Sequence, residues 1–241
     1  MRIPRLYTPQ PLPLEQTIEL EAAAGHYIGK VLRMQVKQDI ILFNNTSEQV
    51  SAHITSVNKK FVSVFVSAPL PGPQASSLHS HLGQVMSRGE RMDYAVQKAT
   101  ELGVNEITPL FSSRCEVKLD HQRQAKRVAH WQQIAISACE QSGRIDVPRI
   151  HNPQTLDYWL ENTQAQAKLV LHPYQTKPLA LQTTPANCAL LIGPEGGLTD
   201  QEVEQAHTHG YTGLSLGPRI LRTETAPLAA LTLLQYIWGD I

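Results

Sequence analysis

Ten residues, Ala68-Pro69-Leu70-Pro71-Gly72-Pro73-Gln74-Ala75-Ser76-Ser77, separate two different hydrophobic periods in this chain. Three prolines fix φ and remove backbone donors, and the glycine and serines offer no apolar surface. Neither a helix nor a central strand is expected through such a stretch. Before it the period is two. Val50, Ala52, Ile54 and Ser56 alternate with Ser51, His53, Thr55 and Val57. Ile40-Ile41-Leu42-Phe43 is a short apolar run, and Phe61 to Val66 is rich in β-formers. Asn58-Lys59-Lys60 reads as a turn, and a helical stretch from Ala22 to Leu32 interrupts the strands. Short strands at this spacing predict a small barrel. The boundaries follow: a β domain over residues 1–70, a linker over 71–77, and a second domain over 78–241.

Beyond the linker, strands and helices alternate. Met92, Ala95, Val96, Ala99 and Leu102 share one helical face over residues 91–102, and Gly103 stops that helix. Glu106 to Phe111 is strand-like. Residues 121–142 form a long helix with Val128, Trp131, Ile134, Ala135 and Ala138 as its buried stripe. Lys168 to Leu171 and Cys188 to Ile192 are short apolar strands. Thr199-Asp200-Gln201-Glu202 is a capping box that starts a helix. Thr223 begins the final helix, Pro227 fits only its first turn, and Trp238-Gly239 closes it. Such alternation predicts an α/β domain with a largely parallel sheet.

Function classes are narrowed by absences. Neither GxGxxG nor GxxxxGK[ST] is present, so the usual nucleotide loops are missing, and so is HExxH. Cys115, Cys139 and Cys188 stand far apart with no CxxC pair, which fits a reducing cytosol. The N-terminal MRIPRLYTPQPLP lacks the apolar core of a signal peptide, and no apolar run is long enough for a bilayer. A cytoplasmic protein without membrane or metal partners is expected. His79 and His81 have HxH spacing but no acidic or cysteine neighbour in the sequence, so they read as strand residues.

Two loops carry the chemistry. The first is Ile192-Gly193-Pro194-Glu195-Gly196-Gly197-Leu198-Thr199, and the second is Leu216-Gly217-Pro218-Arg219-Ile220-Leu221-Arg222-Thr223-Glu224. Each follows a strand-like run and leads into a helix. Ligands of open α/β sheets bind at such strand ends, where glycine lets backbone amides approach them closely. The bland alternative for the first loop is a tight turn before a capping box. Glu195, a charge inside an apolar glycine loop, and the repeated Gly-Pro step weigh against it. At the second loop, Arg219, Arg222 and Glu224 could form an intra-loop ion pair and a favourable acid in the first helical turn. They could also set a cation beside a reacting group. We read one arginine as structural and Arg222 as functional, with Glu224 orienting it.

Net charge is zero, but the basic side chains concentrate in the first two thirds of the chain. Arg114, Lys118, Arg123, Lys126 and Arg127 form one basic run, whose ordinary reading is a solvated helix face. Arg2, Arg5, Lys30, Arg33 and Lys37 form another in the β domain. Basic sets on two domains fit a long polyanion.

Motifs in order along the chain then resemble one family. They are Arg2-Ile3-Pro4-Arg5, His26 with Val31-Leu32-Arg33, Gln97 to Val104, Ser113-Arg114-Cys115, Trp131 with Ala138 to Arg144, Gly193 to Leu198, and Leu216 to Ala226. The chain resembles the bacterial 16S rRNA uridine-N3 methyltransferases, the small-subunit methyltransferase E family of the SPOUT superfamily. The resemblance implies a PUA-like β-barrel that helps hold RNA, then a SPOUT-type parallel sheet with a deep C-terminal trefoil knot at about residues 168–241. It implies S-adenosylmethionine as cofactor, 16S rRNA of the small ribosomal subunit as partner, and a homodimer. Carried across, Leu171 and His172 form one wall of the cofactor pocket. Ile192, Gly193, Glu195, Gly196 and Gly197 form the second, and Leu216, Gly217, Ile220 and Leu221 form the third, beside Arg222. Arg2, Arg5, Arg33 and Arg114 are the expected RNA contacts. Gln38-Asp39 stands where relatives usually have Gly-Asp. Two further readings stay open: a related enzyme acting on another RNA or base, and a catalytically silent RNA-binding or ribosome-assembly protein.

Overall fold

A computed structural model of the chain describes residues 3–46, 48–58, 61–74, 76–172 and 184–241. Arg2, Lys59 and Lys60 lie outside this set. The chain divides into two compact units. One holds the residues before Ser76 together with Ile136–Val147, and the other holds Ser76–Ala135 and Pro148–Ile241.

The first unit contains β1 (Arg5–Tyr7), β2 (Gln16–Glu19), α1 (Ala22–His26), a π-helical turn (Tyr27–Val31), β3 (Asp39–Phe43), β4 (Gln49–Val57) and β5 (Val62–Leu70). Its five strands are ordered β1-β3-β4-β5-β2, with only the β1–β3 pair parallel. The period-two reading holds. Val50, Ala52 and Ile54 of β4 and Val62, Val64 and Val66 of β5 join Leu6, Ile40 and Leu42 in one core. Strand β5 runs on through Pro69 to Leu70, into the proline-rich stretch. Pro69 stands opposite Val50 of β4 and lies beyond Ser63 to Val66, the residues that pair with β2, so on the β2 side no donor is missing from the ladder.

The expected helix over Ala22–Leu32 is α-helical only as far as His26. Leu32 N–H then donates to Tyr27 C=O at 2.9 Å, five residues back, and this widens the turn. Ile28 is fully buried in the widened turn, so core packing accounts for the irregular winding. The segment from Ile136 to Val147 is held in the first unit by specific contacts. Tyr7 N–H donates to Glu140 Oε1 at 3.1 Å, Val147 N–H to Asn45 Oδ1 at 2.7 Å, and Phe43 packs with Cys139 and Ile145.

The second unit is built from β6 (His79–Val85), α2 (Arg91–Glu101), β7 (Glu106–Phe111) and α3 (His121–Ser142, in part). It continues with β8 (Arg149–Ile150), β9 (Gln154–Thr155), α4 (Leu156–Asn162), β10 (Ala167–Leu171), β11 (Asn187–Ile192), α5 (Asp200–Thr208), β12 (Thr212–Leu214) and α6 (Ala226–Trp238). The sheet order is β12-β10-β11-β6-β7-β8, with β9 beside β7, and every recorded pair is parallel. Strand alternation sorts its two faces. Val85, Leu110, Val170, Ala189 and Leu191 face Leu156, Trp159 and Leu160 of α4 and Ala206 of α5. On the long helix α3, Trp131, Ala135 and Ala138 are buried, whereas Val128 and Ile134 are only half-buried. Among the described residues no helix is long and apolar enough to cross a membrane.

Candidate active site

Parallel strands end together. Leu171 of β10 pairs with Leu214 of β12, and Ile192 of β11 pairs with Gln84 of β6. Both glycine loops leave from this one sheet edge. Between them lies a cavity of about 660 Å³, within the range of small-molecule sites.

Leu171 and His172 line one side of the cavity, and His172 N–H donates to Leu214 C=O at 3.1 Å. Ile192, Gly193, Glu195, Gly196 and Gly197 line the second side. Gly197 has φ of 68°, and its N–H closes the turn onto Pro194 C=O at 2.8 Å. Leu216, Gly217, Ile220, Leu221 and Arg222 line the third side, and Gly217 has φ of 86°. At both φ values a side chain would strain the turn, which is why glycine stands there. Leu171, Leu216 and Leu221 are half-buried, and Ile192 is buried. Ile220 is 76% exposed and stands at the rim rather than in the bed.

Three ties hold the loops in place. Thr223 Oγ1 donates to Gly193 C=O at 2.8 Å and accepts from Gln84 Nε2 at 3.1 Å, so a buried hydroxyl joins both loops to β6. Arg91, the first residue of α2, reaches Glu195 Oε1 at 2.8 Å and Glu224 Oε2 at 4.0 Å. Arg114 donates to Gly196 C=O at 2.8 Å and to Leu198 C=O at 3.4 Å. The expected Glu224–Arg222 contact is therefore corrected. Glu224 pairs with Arg91, and among the described residues no ion pair joins Glu224 to Arg222. The carboxylate sits in the turn before α6, close to the N-terminus of α2, where Arg91 is the nearer cation.

Electrostatics follows these ties. Burial works against the charge of Glu195. Hydrogen bonds from its own N–H, from Arg88 N–H and from the Arg91 guanidinium outweigh that and hold its carboxyl below the ordinary value. Glu202 closes the capping box with Thr199 and accepts Ser113 N–H at 2.8 Å, which joins α5 to the segment after β7. Burial again opposes its charge, and the Ser113 and Thr199 bonds lower its pKa overall. A depressed carboxyl pKa stabilises the fold above the ordinary carboxylate range and loses that contribution as pH falls through the folded value. Glu202→Gln is expected to cost about 1–2 kcal/mol at neutral pH. In urea melts taken at falling pH, its gap from the parent protein should close below about pH 4, near the ordinary carboxyl value. A gap that stays constant with pH would exclude an ionised Glu202 as the stabilising group.

The remaining sequence candidates lie elsewhere. Arg33 is exposed, with Lys30 and Lys37 near it in sequence and also exposed. Arg5 is half-buried, donates to Arg144 C=O at 3.0 Å and stacks over Phe43. Arg123, Lys126 and Arg127 are exposed on α3. Arg91, Thr223 and Gln84 were missed by sequence reading. Their one available signal is position: Gln84 and Arg91 flank the C-terminal end of β6, where ligands gather in parallel sheets.

Residues 74–235 match the RNA methyltransferase domain family, and residues 20–67 match the RNA methyltransferase PUA domain. Ribosomal RNA small subunit methyltransferase E of Buchnera aphidicola (from Schizaphis graminum) is 40% identical over all of this chain and 98% of its own length. The Bacillus subtilis protein of the same name is 31% identical over 95% of this chain and 93% of its own. A small subunit methyltransferase E from Neisseria gonorrhoeae, solved with S-adenosyl methionine, superposes with a TM-score of 0.93 at 38% identity, both chains fully covered. A Legionella pneumophila chain solved with bound SAM gives a TM-score of 0.95 at 42% identity, again with full coverage of both. The chain belongs to the RNA methyltransferase family of the ribosomal RNA small subunit methyltransferases E, with an N-terminal PUA-like domain on an α/β parallel-sheet domain.

Proposed function

We propose that the protein transfers a methyl group from S-adenosylmethionine to N3 of a uridine in 16S rRNA of the small ribosomal subunit. The observation that carries this reading is the convergence, in one cavity of a methyltransferase-family chain, of two glycine loops, an apolar bed and the Arg222 side chain. The site fits the cofactor. Gly193, Gly196, Gly197 and Gly217 expose backbone to a ligand, Leu171, Ile192, Leu216 and Leu221 suit the adenine face, and the volume suits a molecule of this size. Bound there, the cofactor supplies a methyl group on a sulfonium, already a strong electrophile.

The protein's own task is alignment and charge. Uracil N3 must lose its proton to become a good nucleophile. A cation beside the base stabilises the anion and lowers its pKa. Arg222 supplies that cation, and the proton passes to solvent. Arg91 holds Glu195 and Glu224, and through them both loops, so it acts as a positioning residue. Arg91→Gln is expected to weaken cofactor binding about threefold to fivefold, as loss of partly exposed ion pairs does. Titration calorimetry checks this, and an unchanged affinity would assign Arg91 to the surface alone.

In this reading residues 1–70 form the RNA-holding domain, and Arg2, Arg5 and Arg33 within it, together with Arg114 of the second domain, contact the rRNA. The linker spans 71–77, and residues 78–241 form the methyltransferase domain, knotted over about 168–241. The protein works in the cytoplasm as a homodimer. Thermal unfolding with S-adenosylmethionine tests the site. A ligand of the native state at a hundredfold excess over its Kd should raise Tm by roughly 5–10 °C for a chain of this size. A scaffold that only binds RNA would show no shift.

A further inference from the structure

We propose that His81, Glu106 and His151 bind a single divalent transition-metal ion of the zinc type, at the sheet edge opposite the cavity. The sequence offered His79 and His81 without a partner, and hence no metal. The fold supplies the partners from other strands. Glu106 opens β7 and stands opposite His81 in register, and His151 directly follows β8. Register and alternation put His79, His81, Glu106 and Thr108 on one face. One donor atom from each of His81, Glu106 and His151 lies within 4.8 Å of the others.

The arrangement is closely knit. His151 Nε2 is 2.5 Å from Glu106 Oε2, and His79 Nε2 is 3.6 Å from Glu106 Oε1. The His81 and His151 rings lie 5.3 Å apart, and His81 Nε2 is 2.8 Å from Thr108 Oγ1. Imidazole and carboxylate are the donors of His₂Glu zinc sites, and a hydroxyl on a ligating ring is the kind of outer contact that fixes its orientation. Zinc ligands sit about 2.0–2.2 Å from the ion and therefore roughly 3.4 Å from one another. The widest donor pair must close by roughly 1 Å, and the His151–Glu106 pair must open by about as much and give up its hydrogen bond, both within the reach of side-chain rotation. The His151 and His79 side chains are 20% and 52% exposed, which leaves an access path and a fourth position for His79 or water. The ion would tie β6, β7 and the residue after β8 together, and none of its three ligands lines the methyl-transfer cavity. The role is structural, and the inference stands apart from the proposed activity.

The test uses the full chain, stripped with chelator and dialysed, then titrated with Co²⁺ and competed with Zn²⁺. One Co²⁺ per chain is expected, with a ligand-field band of four-coordinate intensity that Zn²⁺ abolishes. Zn²⁺ at a hundredfold excess over its Kd should raise Tm by roughly 5–10 °C. His151→Ala and Glu106→Gln should each weaken binding at least about tenfold to a hundredfold, the loss that even outer partners of ligands cause. His130→Ala, on α3 beside Asp93, should leave it unchanged. Both ligand variants alter partly exposed residues, and if one fails to fold the other decides. Absence of Co²⁺ uptake by the parent protein overturns the proposal, as does equal affinity in the folded ligand variants.

Discussion

Replacing Arg222 by Ala is expected to lower methyl transfer by at least about 10²–10³-fold, the loss seen when one preorganised electrostatic contact to a developing anion is removed. Fold and cofactor affinity should survive. The side chain is exposed, lines the cavity and makes no ion pair with a carboxylate among the described residues. Its structural contribution comes from the backbone: Arg222 C=O accepts Thr225 N–H and Ala226 N–H, each at 2.9 Å, in the turn that starts α6. Truncation leaves those bonds in place. Arg222→Lys should recover part of the rate, because it keeps the charge but not the planar fork. The effect should also shrink at high pH, where uracil loses its N3 proton unaided. Turnover equal to the parent protein's would remove Arg222 from the mechanism.

The second large effect concerns what supports the site. Trp159 of α4 is buried against β6, with its ring 5.8 Å from His81 and 5.6 Å from Tyr211. Gly83 makes room for it. A Cβ at Gly83 would lie 2.6 Å from Trp159 Cη2 and Cζ2, so the indole occupies the space a side chain would take. Trp159→Ala is expected to cost about 3–5 kcal/mol, a large part of the roughly 5–15 kcal/mol that holds a domain folded. Gly83→Ala should cost about 1–3 kcal/mol by overpacking a rigid ring. The double variant should be more stable than the sum of the two losses allows, by about 1 kcal/mol or more, because the methyl group then enters vacated space. Urea unfolding of the four proteins measures this coupling. Strict additivity would mean that the two positions do not pack directly.

Much of this architecture was legible because it is local. The alternation over Val50 to Val57, the capping box at Thr199 and Glu202, and Pro227 in the first turn of α6 each depend on residues within a few positions of one another. The glycine loops were legible for the same reason. The ties that make them one cavity were not. Thr223 meets Gly193 and Gln84 across 30 and 139 residues, and Arg91 meets Glu195 across 104. Such contacts depend on sheet order, which no short-range period encodes. Glu224 was given the wrong arginine because Arg222 is its neighbour in sequence while Arg91 is its neighbour in space. The π-helical turn after His26 looked helical because Tyr27 to Val31 contains no proline and continues directly from the alanine-rich α1. His81 seemed unpartnered for a related reason, since Glu106 and His151 arrive from other strands.

The most direct measurement is nucleoside mass spectrometry of 16S rRNA from cells lacking this protein, alone and complemented. Loss of a single 3-methyluridine is expected, restored by the parent protein and not by Arg222→Ala. A 3-methyluridine that persists without the protein, or the loss of a different modified nucleoside, would contradict it.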